Sequence, residues 1–123
     1  QPRYTHAWCY ALEGLAIEGA PLPPAELEAL ARMQAPEGGL PAWDEGGPLR
    51  ADASAQALRL WRAAADPTPF AASCAHAKAF LRRIQAPDGG LVYDDTTPHR
   101  PAWAACFADQ ALADPPSPPA TWI

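Results

Sequence analysis

"MQAPEGGLPAWDEGG" occupies residues 33–47 of the chain, and "IQAPDGGLVYDDTTP" occupies residues 84–98. When Gln34 is aligned with Gln85, eight of the eleven positions from Leu30 to Leu40 are identical in the second copy, and the period is 51 residues. Periods of this length are typical of stacked supersecondary units. The sequence therefore predicts two copies of one structural unit.

Helical patterns surround both copies. Pro24 and Pro69 stand where a first-turn proline opens a helix, and both helices end at Ala-Pro before a Gly-Gly turn. We predict an all-α fold of tandem α-hairpin repeats joined by loops of about ten residues. One repeat domain is expected to cover 1–113, with units at about 24–65 and 69–113 after a helix at 5–18. Further helices are expected at 50–65 and 101–113, and 114–123 is a proline-rich tail that either is a loose terminus or covers one end through Trp122 and Ile123.

Composition narrows the classes of function. The net charge is −5, and no basic run exceeds Arg82-Arg83, which argues against nucleic-acid binding. No apolar run reaches the ~18 residues of a membrane span. The three cysteines, Cys9, Cys74 and Cys106, are odd in number and lack CxxC spacing, so a disulfide framework is not expected. Small buried thiols in a reducing compartment fit better, and we predict a cytoplasmic protein.

The repeated residues follow a recognisable pattern. In the second copy Lys78-Ala79-Phe80-Leu81 precedes the glutamine, the two glycines and an aromatic residue. This pattern resembles the QW-type repeat of squalene–hopene cyclases and related terpenoid cyclases, and the Q-x-x-x-G-G repeat of protein prenyltransferase β subunits. The structural repeat residues are then Gln34, Gly38, Gly39, Trp43, Gln85, Gly89, Gly90 and Tyr93.

The resemblance implies an arc or fragment of an α/α toroid, in which the helix after each Gly-Gly loop lies inside. A closed toroid of about six such hairpins needs more than the 123 residues of this chain. The expected partners are therefore the missing hairpins of a longer chain or another subunit. Small-molecule ligands are possible partners too.

Polar residues recur at helical spacing on the predicted inner helices. His6, Tyr10 and Glu13 share one stripe, and Asp52, Gln56 and Arg59 share another. These types suit a partly enclosed polar cavity. The toroid resemblance implies that such a cavity binds an isoprenoid or a glycan, so we predict a module that binds one of these within a larger protein or oligomer. The alternative is a non-catalytic helical-repeat module for protein–protein interaction.

Catalytic chemistry stays open at this stage. The chain has no DxDD, GxSxG, P-loop or HExxH motif, and Glu13 with Asp52 is the only plausible carboxylate pair for cleaving a sugar. No cofactor is predicted. Zinc is an alternative suggested by the prenyltransferase resemblance, because His6, Asp52 and Cys106 occupy equivalent positions in the repeat and offer ligand types that zinc accepts.

Overall fold

The computed structural model describes residues 1–85, 94–96 and 108–122. Its elements are α1 (Thr5–Ile17), α2 (Pro24–Met33), β1 (Leu40–Trp43), β2 (Gly46–Arg50), α3 (Ala51–Arg62) and α4 (Ala71–Arg83). Short 3₁₀ turns lie at Thr68–Phe70 and Pro119–Thr121. Residues 108–112 are helical within the range where the last helix was expected.

The prediction of an all-α fold forming an arc of an α/α toroid is wrong. Strands β1 and β2 form a two-stranded antiparallel sheet in the segment predicted as a loop, with Leu40 opposite Arg50 and Trp43 opposite Gly46. The chain reverses at Asp44-Glu45, and Gly46 and Gly47, which begin β2, have positive φ angles of 126° and 112°. The fully buried Leu40 side chain packs this hairpin against the hydrophobic core. The fold is therefore a mixed one that combines helices with a small sheet.

Helix α3 lies at the centre of the molecule. Every residue from Ala51 to Trp61 is buried, and α1 and α4 pack along this helix. Trp61 is fully buried, and its Nε1 donates to the carbonyl of Leu27 at 3.0 Å, which joins α2 to α3. Because each fully buried leucine or aromatic side chain stabilises a fold by roughly 1.5–3 kcal/mol, Leu58, Leu60 and Trp61 make this helix a substantial contributor to the core.

The first Gln–Gly-Gly turn fastens α2 to α4. Gln34 Nε2 donates to the carbonyls of Gly38 and Ser73, both at 2.9 Å. Gly38 has a φ of 100°, and a Cβ placed on it would lie 2.0 Å from the carbonyl oxygen of His76. Gln34 and Gly38 thus allow the turn to pack closely against α4, which belongs to the following repeat.

The second copy meets the first at β2. Asp94 forms an isolated bridge with Arg50, and Asp95 N donates to the Leu49 carbonyl at 3.0 Å. Leu49 N in turn donates to Asp95 Oδ1 at 2.8 Å. Gln85 lies two residues after the end of α4. The other second-copy residues of the motif, Gly89, Gly90 and Tyr93, lie outside the described residues.

The proline-rich tail covers the helices as far as it is described. Trp122 is buried, and the Arg59 guanidinium lies 4.8 Å from its ring centroid. The Nε1 of Trp122 donates to the Ser117 carbonyl at 3.1 Å. Ile123 lies outside the described residues. Across the described ranges, we find no helix whose length and apolar content would allow it to cross a membrane.

Candidate functional site

The six candidate cavity residues come together between α1 and α3. His6 Nδ1 lies 2.7 Å from Gln56 Oε1 and 3.2 Å from Asp52 Oδ2. Gln56 Nε2 donates to Glu13 Oε2 at 3.2 Å, and Glu13 Oε1 forms an ion pair with Arg59 Nη2. The shared helical spacing explains the convergence, because residues three or four apart lie on one helix face. Five of the six form one hydrogen-bonded network.

Tyr10, the sixth candidate, lies at the surface. Its side chain is 46% exposed, and its ring contacts the imidazole of His6 edge-on with a centroid distance of 4.5 Å. Burial, followed by the charges of Glu13 and Asp52, raises the pKa of the Tyr10 phenol. The phenol therefore stays protonated at neutral pH and can donate a hydrogen bond.

Three residues outside the candidate set, Arg50, Tyr4 and Gln110, extend this network. Arg50 donates from Nε and Nη2 to both carboxylate oxygens of Asp52, at 3.0 and 2.6 Å, and from Nη1 to the hydroxyl of Tyr4 at 2.6 Å. Gln110 accepts a hydrogen bond from Arg59. Arg50 and Tyr4 directly precede α3 and α1, so they fall outside the helical stripes that defined the candidates. The sequence feature that could have identified Arg50 is its position two residues before Asp52.

The network compensates its own charges. Arg50 pairs with Asp52, and Arg59 pairs with Glu13, with all four side chains at most 7% exposed. Burial alone lowers the pKa of Arg50, but the hydrogen bond and the charge of Asp52 outweigh it, so this pKa stands above its ordinary value. A buried ion that lost its partner would be costly. The two carboxylates that sequence reasoning offered as a sugar-cleaving pair are thus each occupied by an arginine below the surface.

Four aromatic side chains cover the outer edge of the network. The ring centroids of Trp43 and Tyr4 are 5.0 Å apart, and those of Tyr4 and His6 are 6.0 Å apart. The ring centroids of His6 and Tyr10 are 4.5 Å apart. We call Trp43, Tyr4, His6 and Tyr10 the aromatic strip. Trp43 is 45% exposed, so much of its ring remains accessible to solvent. A shallow cavity of about 390 Å³ beside Trp43 and Gly46 extends the strip at one end.

The zinc alternative has two of its three residues in this region. His6 and Asp52 are in contact, but Cys106 lies outside the described residues. Among the residues that the structure does describe, no three His, Cys, Asp or Glu side chains converge as a metal site requires. Cys9 lies below the network, and burial, followed by the charges of Glu13 and Asp52, raises the pKa of its thiol well above the ordinary value. This thiol is therefore protonated and unreactive at neutral pH.

The site is thus a buried, charge-balanced layer beneath a row of aromatic rings, of which Trp43 and Tyr10 are exposed and Tyr4 and His6 are half-buried. The buried layer holds Tyr4 and His6 in place, and a ligand can make contact with the exposed rings. Comparison with known proteins adds no relative that could guide the assignment, since no family model, curated protein or solved structure matches the chain.

Proposed function

We propose that the chain is a binding module for a glycan, which stacks on the aromatic strip, and that the module works within a larger protein or oligomer. One observation carries the proposal. Four aromatic rings follow one another along the surface with centroid separations of 4.5 to 6.0 Å. Sugar rings present C–H faces that pack on aromatic rings, and their hydroxyl groups need hydrogen-bonding partners at the ring edges.

The chemistry of the strip favours a glycan over an isoprenoid. Each of its rings carries a polar group, namely the phenols of Tyr4 and Tyr10, the imidazole of His6 and the indole of Trp43. An isoprenoid is a hydrocarbon chain, so it could contact only the faces of these rings and would not use their polar groups. A glycan can use both the faces and the edges of the rings.

The buried network prepares the strip for binding. Tyr4 is held by Arg50, and His6 is held by Gln56 and Asp52, so two of the four rings are oriented before a ligand arrives. Side chains that are ordered in advance lose less conformational entropy on binding. Because the arginines occupy the two buried carboxylates, the proposal is for binding without cleavage.

Affinity electrophoresis through gels that contain soluble glucans, xylans, mannans or chitosan tests the proposal. Loss of a stacking ring costs about 1.4 kcal/mol, so we expect Trp43→Ala and Tyr10→Ala each to weaken binding about tenfold. Leu15→Ala is the matched control, because Leu15 is 40% exposed and is not part of the strip. The proposal fails if no glycan of the panel retards the protein, or if Trp43→Ala binds as well as the unmodified chain.

The second candidate function is protein–protein interaction through α1. Leu15 and Ile17, near the end of α1, are 40% and 41% exposed, so they offer apolar surface that a partner could cover. Light scattering after size-exclusion chromatography, with and without Leu15→Ser and Ile17→Ser, separates the two candidates. A self-associating chain that these substitutions make monomeric would favour this second function over the first.

A further inference from the structure

A small cavity lies away from the aromatic strip, where the end of α3 meets residues 108–112 and the tail. Its volume is about 120 Å³. It has arginine side chains on one side and the tail on the other, and its lining includes Arg59, Arg62, Ala63, Gln110, Ser117 and Trp122. None of these residues belongs to the aromatic strip, so the inference below is independent of the proposed function.

The charge in this cavity is positive. Two guanidinium groups line it, and its lining contains no carboxylate. Glu13 balances Arg59 from the network side. Arg62 Nη1 donates to the Ala111 carbonyl at 2.7 Å, and in the described ranges no carboxylate lies within ion-pair distance of Arg62. A guanidinium has five N–H donors, and this carbonyl engages one of them.

The size of the cavity limits the ligand. Its volume is close to the ~150 Å³ of an engineered protein cavity that binds benzene, so it has room for a small molecule. The forked donors of arginine match the paired oxygens of a carboxylate or phosphate. The buried ring of Trp122 shields the cavity from water on the tail side, which strengthens the attraction between opposite charges.

We propose that this cavity binds a small oxyanion, a carboxylate or a phosphate group, which pairs with Arg62 and is supported by the charge of Arg59. The bound anion would connect α3 to the tail, because the cavity is lined by residues of both. Arg62 is the main determinant, since Arg59 is already engaged by Glu13 and Gln110.

Titration of the full chain with sodium phosphate, sodium acetate and sodium benzoate tests this inference, with sodium chloride as the reference at matched ionic strength. Isothermal titration calorimetry measures binding, and thermal unfolding measures stabilisation. We expect one of the oxyanions to bind saturably and to raise Tm, whereas chloride does not. Tighter binding of phosphate would assign the site to phosphate groups, and tighter binding of acetate or benzoate would assign it to carboxylates.

Two variants act on the cavity in different ways. Arg62→Gln removes the charge, and Ala63→Leu fills space without changing the charge, so each should weaken oxyanion binding at least tenfold. Arg82→Gln is the matched control, because Arg82 is exposed on α4, and it should leave binding unchanged. Circular dichroism establishes that each variant is folded. Absence of saturable binding by all three oxyanions, or equal binding by the Arg62→Gln and Arg82→Gln variants, would overturn the proposal.

Discussion

The buried ion pair between Glu13 and Arg59 offers a direct test of the network. Their side chains are 4% and 2% exposed, and Glu13 also accepts a hydrogen bond from Gln56. Glu13→Gln keeps the shape of the side chain and one acceptor oxygen, but removes the negative charge. The guanidinium of Arg59 would then remain buried without its counter-ion.

The expected loss follows from the burial of this pair. Removal of one partner from a buried ion pair costs about 3–5 kcal/mol. Because glutamine can still accept a hydrogen bond from Arg59, we expect a loss near 3 kcal/mol, which lowers Tm by roughly 10–15 °C in a domain of this size. This is a large part of the ~5–15 kcal/mol that stabilises a typical domain.

Urea denaturation followed by far-UV circular dichroism at pH 7 measures the effect. Glu18→Gln is the matched control, because Glu18 is exposed at the end of α1, and its change should stay within about 0.5 kcal/mol. The double variant Glu13→Leu/Arg59→Met should be more stable than either single variant, since neither position then leaves a buried charge without its partner. A loss below about 1 kcal/mol for Glu13→Gln would refute our reading of the network.

Four further predictions concern the turn, helix α1 and the thiol. Gly38→Ala should lower the free energy of unfolding by at least ~3 kcal/mol, because its Cβ would overlap the His76 carbonyl at a φ of 100°. Gly14→Ala, where a Cβ meets nothing within 4 Å in the middle of α1, should instead raise it by about 0.5–1 kcal/mol in the same urea titration. Gln34→Glu removes the donor of two hydrogen bonds and should cost about 1–3 kcal/mol, and an unchanged urea midpoint would show that these bonds contribute nothing. Burial raises the pKa of the Cys9 thiol in the folded state. The unfolded thiol therefore ionises first, and the free energy of unfolding falls as the pH rises above roughly 8.5. Cys9→Ala should flatten this fall in the free energy of unfolding between about pH 8 and 10.

Local signals in the sequence located the helices well. The proline at position 24 and the Thr-Pro pair at 68–69 mark helix starts, and the structure has α2 from Pro24 to Met33 and a 3₁₀ turn at Thr68–Phe70 that leads into α4. These residues act through backbone geometry within one turn of the chain, so no tertiary context is needed to interpret them.

The hairpin of β1 and β2 was missed because its sequence resembles a loop. Pro41 and Pro48 lower the strand propensity, and the connection at Asp44-Glu45 lacks the Asn-Gly or Asp-Gly pair that usually marks a two-residue turn. The strands form here because Leu40 and Leu49 are buried in the core and because Asp95 adds hydrogen bonds to β2. These are long-range causes, which a local pattern does not contain.

For the candidate site, helical spacing identified which residues come together but not how they are enclosed. The stripes on α1 and α3 predicted a partly enclosed cavity, whereas the structure fills that space with ion pairs. Periodicity describes one face of one helix, and it does not reveal that Trp122 and Gln110, more than 50 residues after Gln56, lie over the same region. The aromatic strip was missed for the same reason, since Trp43 comes from the hairpin.

The central position of α3 has a consequence for synthesis on the ribosome. The polar side chains of this helix are buried by α1, which is made earlier, and by Gln110 and Trp122, which are made about 50 residues later. A nascent chain that has released only its first half presents Arg59 to water and to chaperones. The packing around α3 is therefore complete only after the residues from Gln110 to Trp122 have left the exit tunnel.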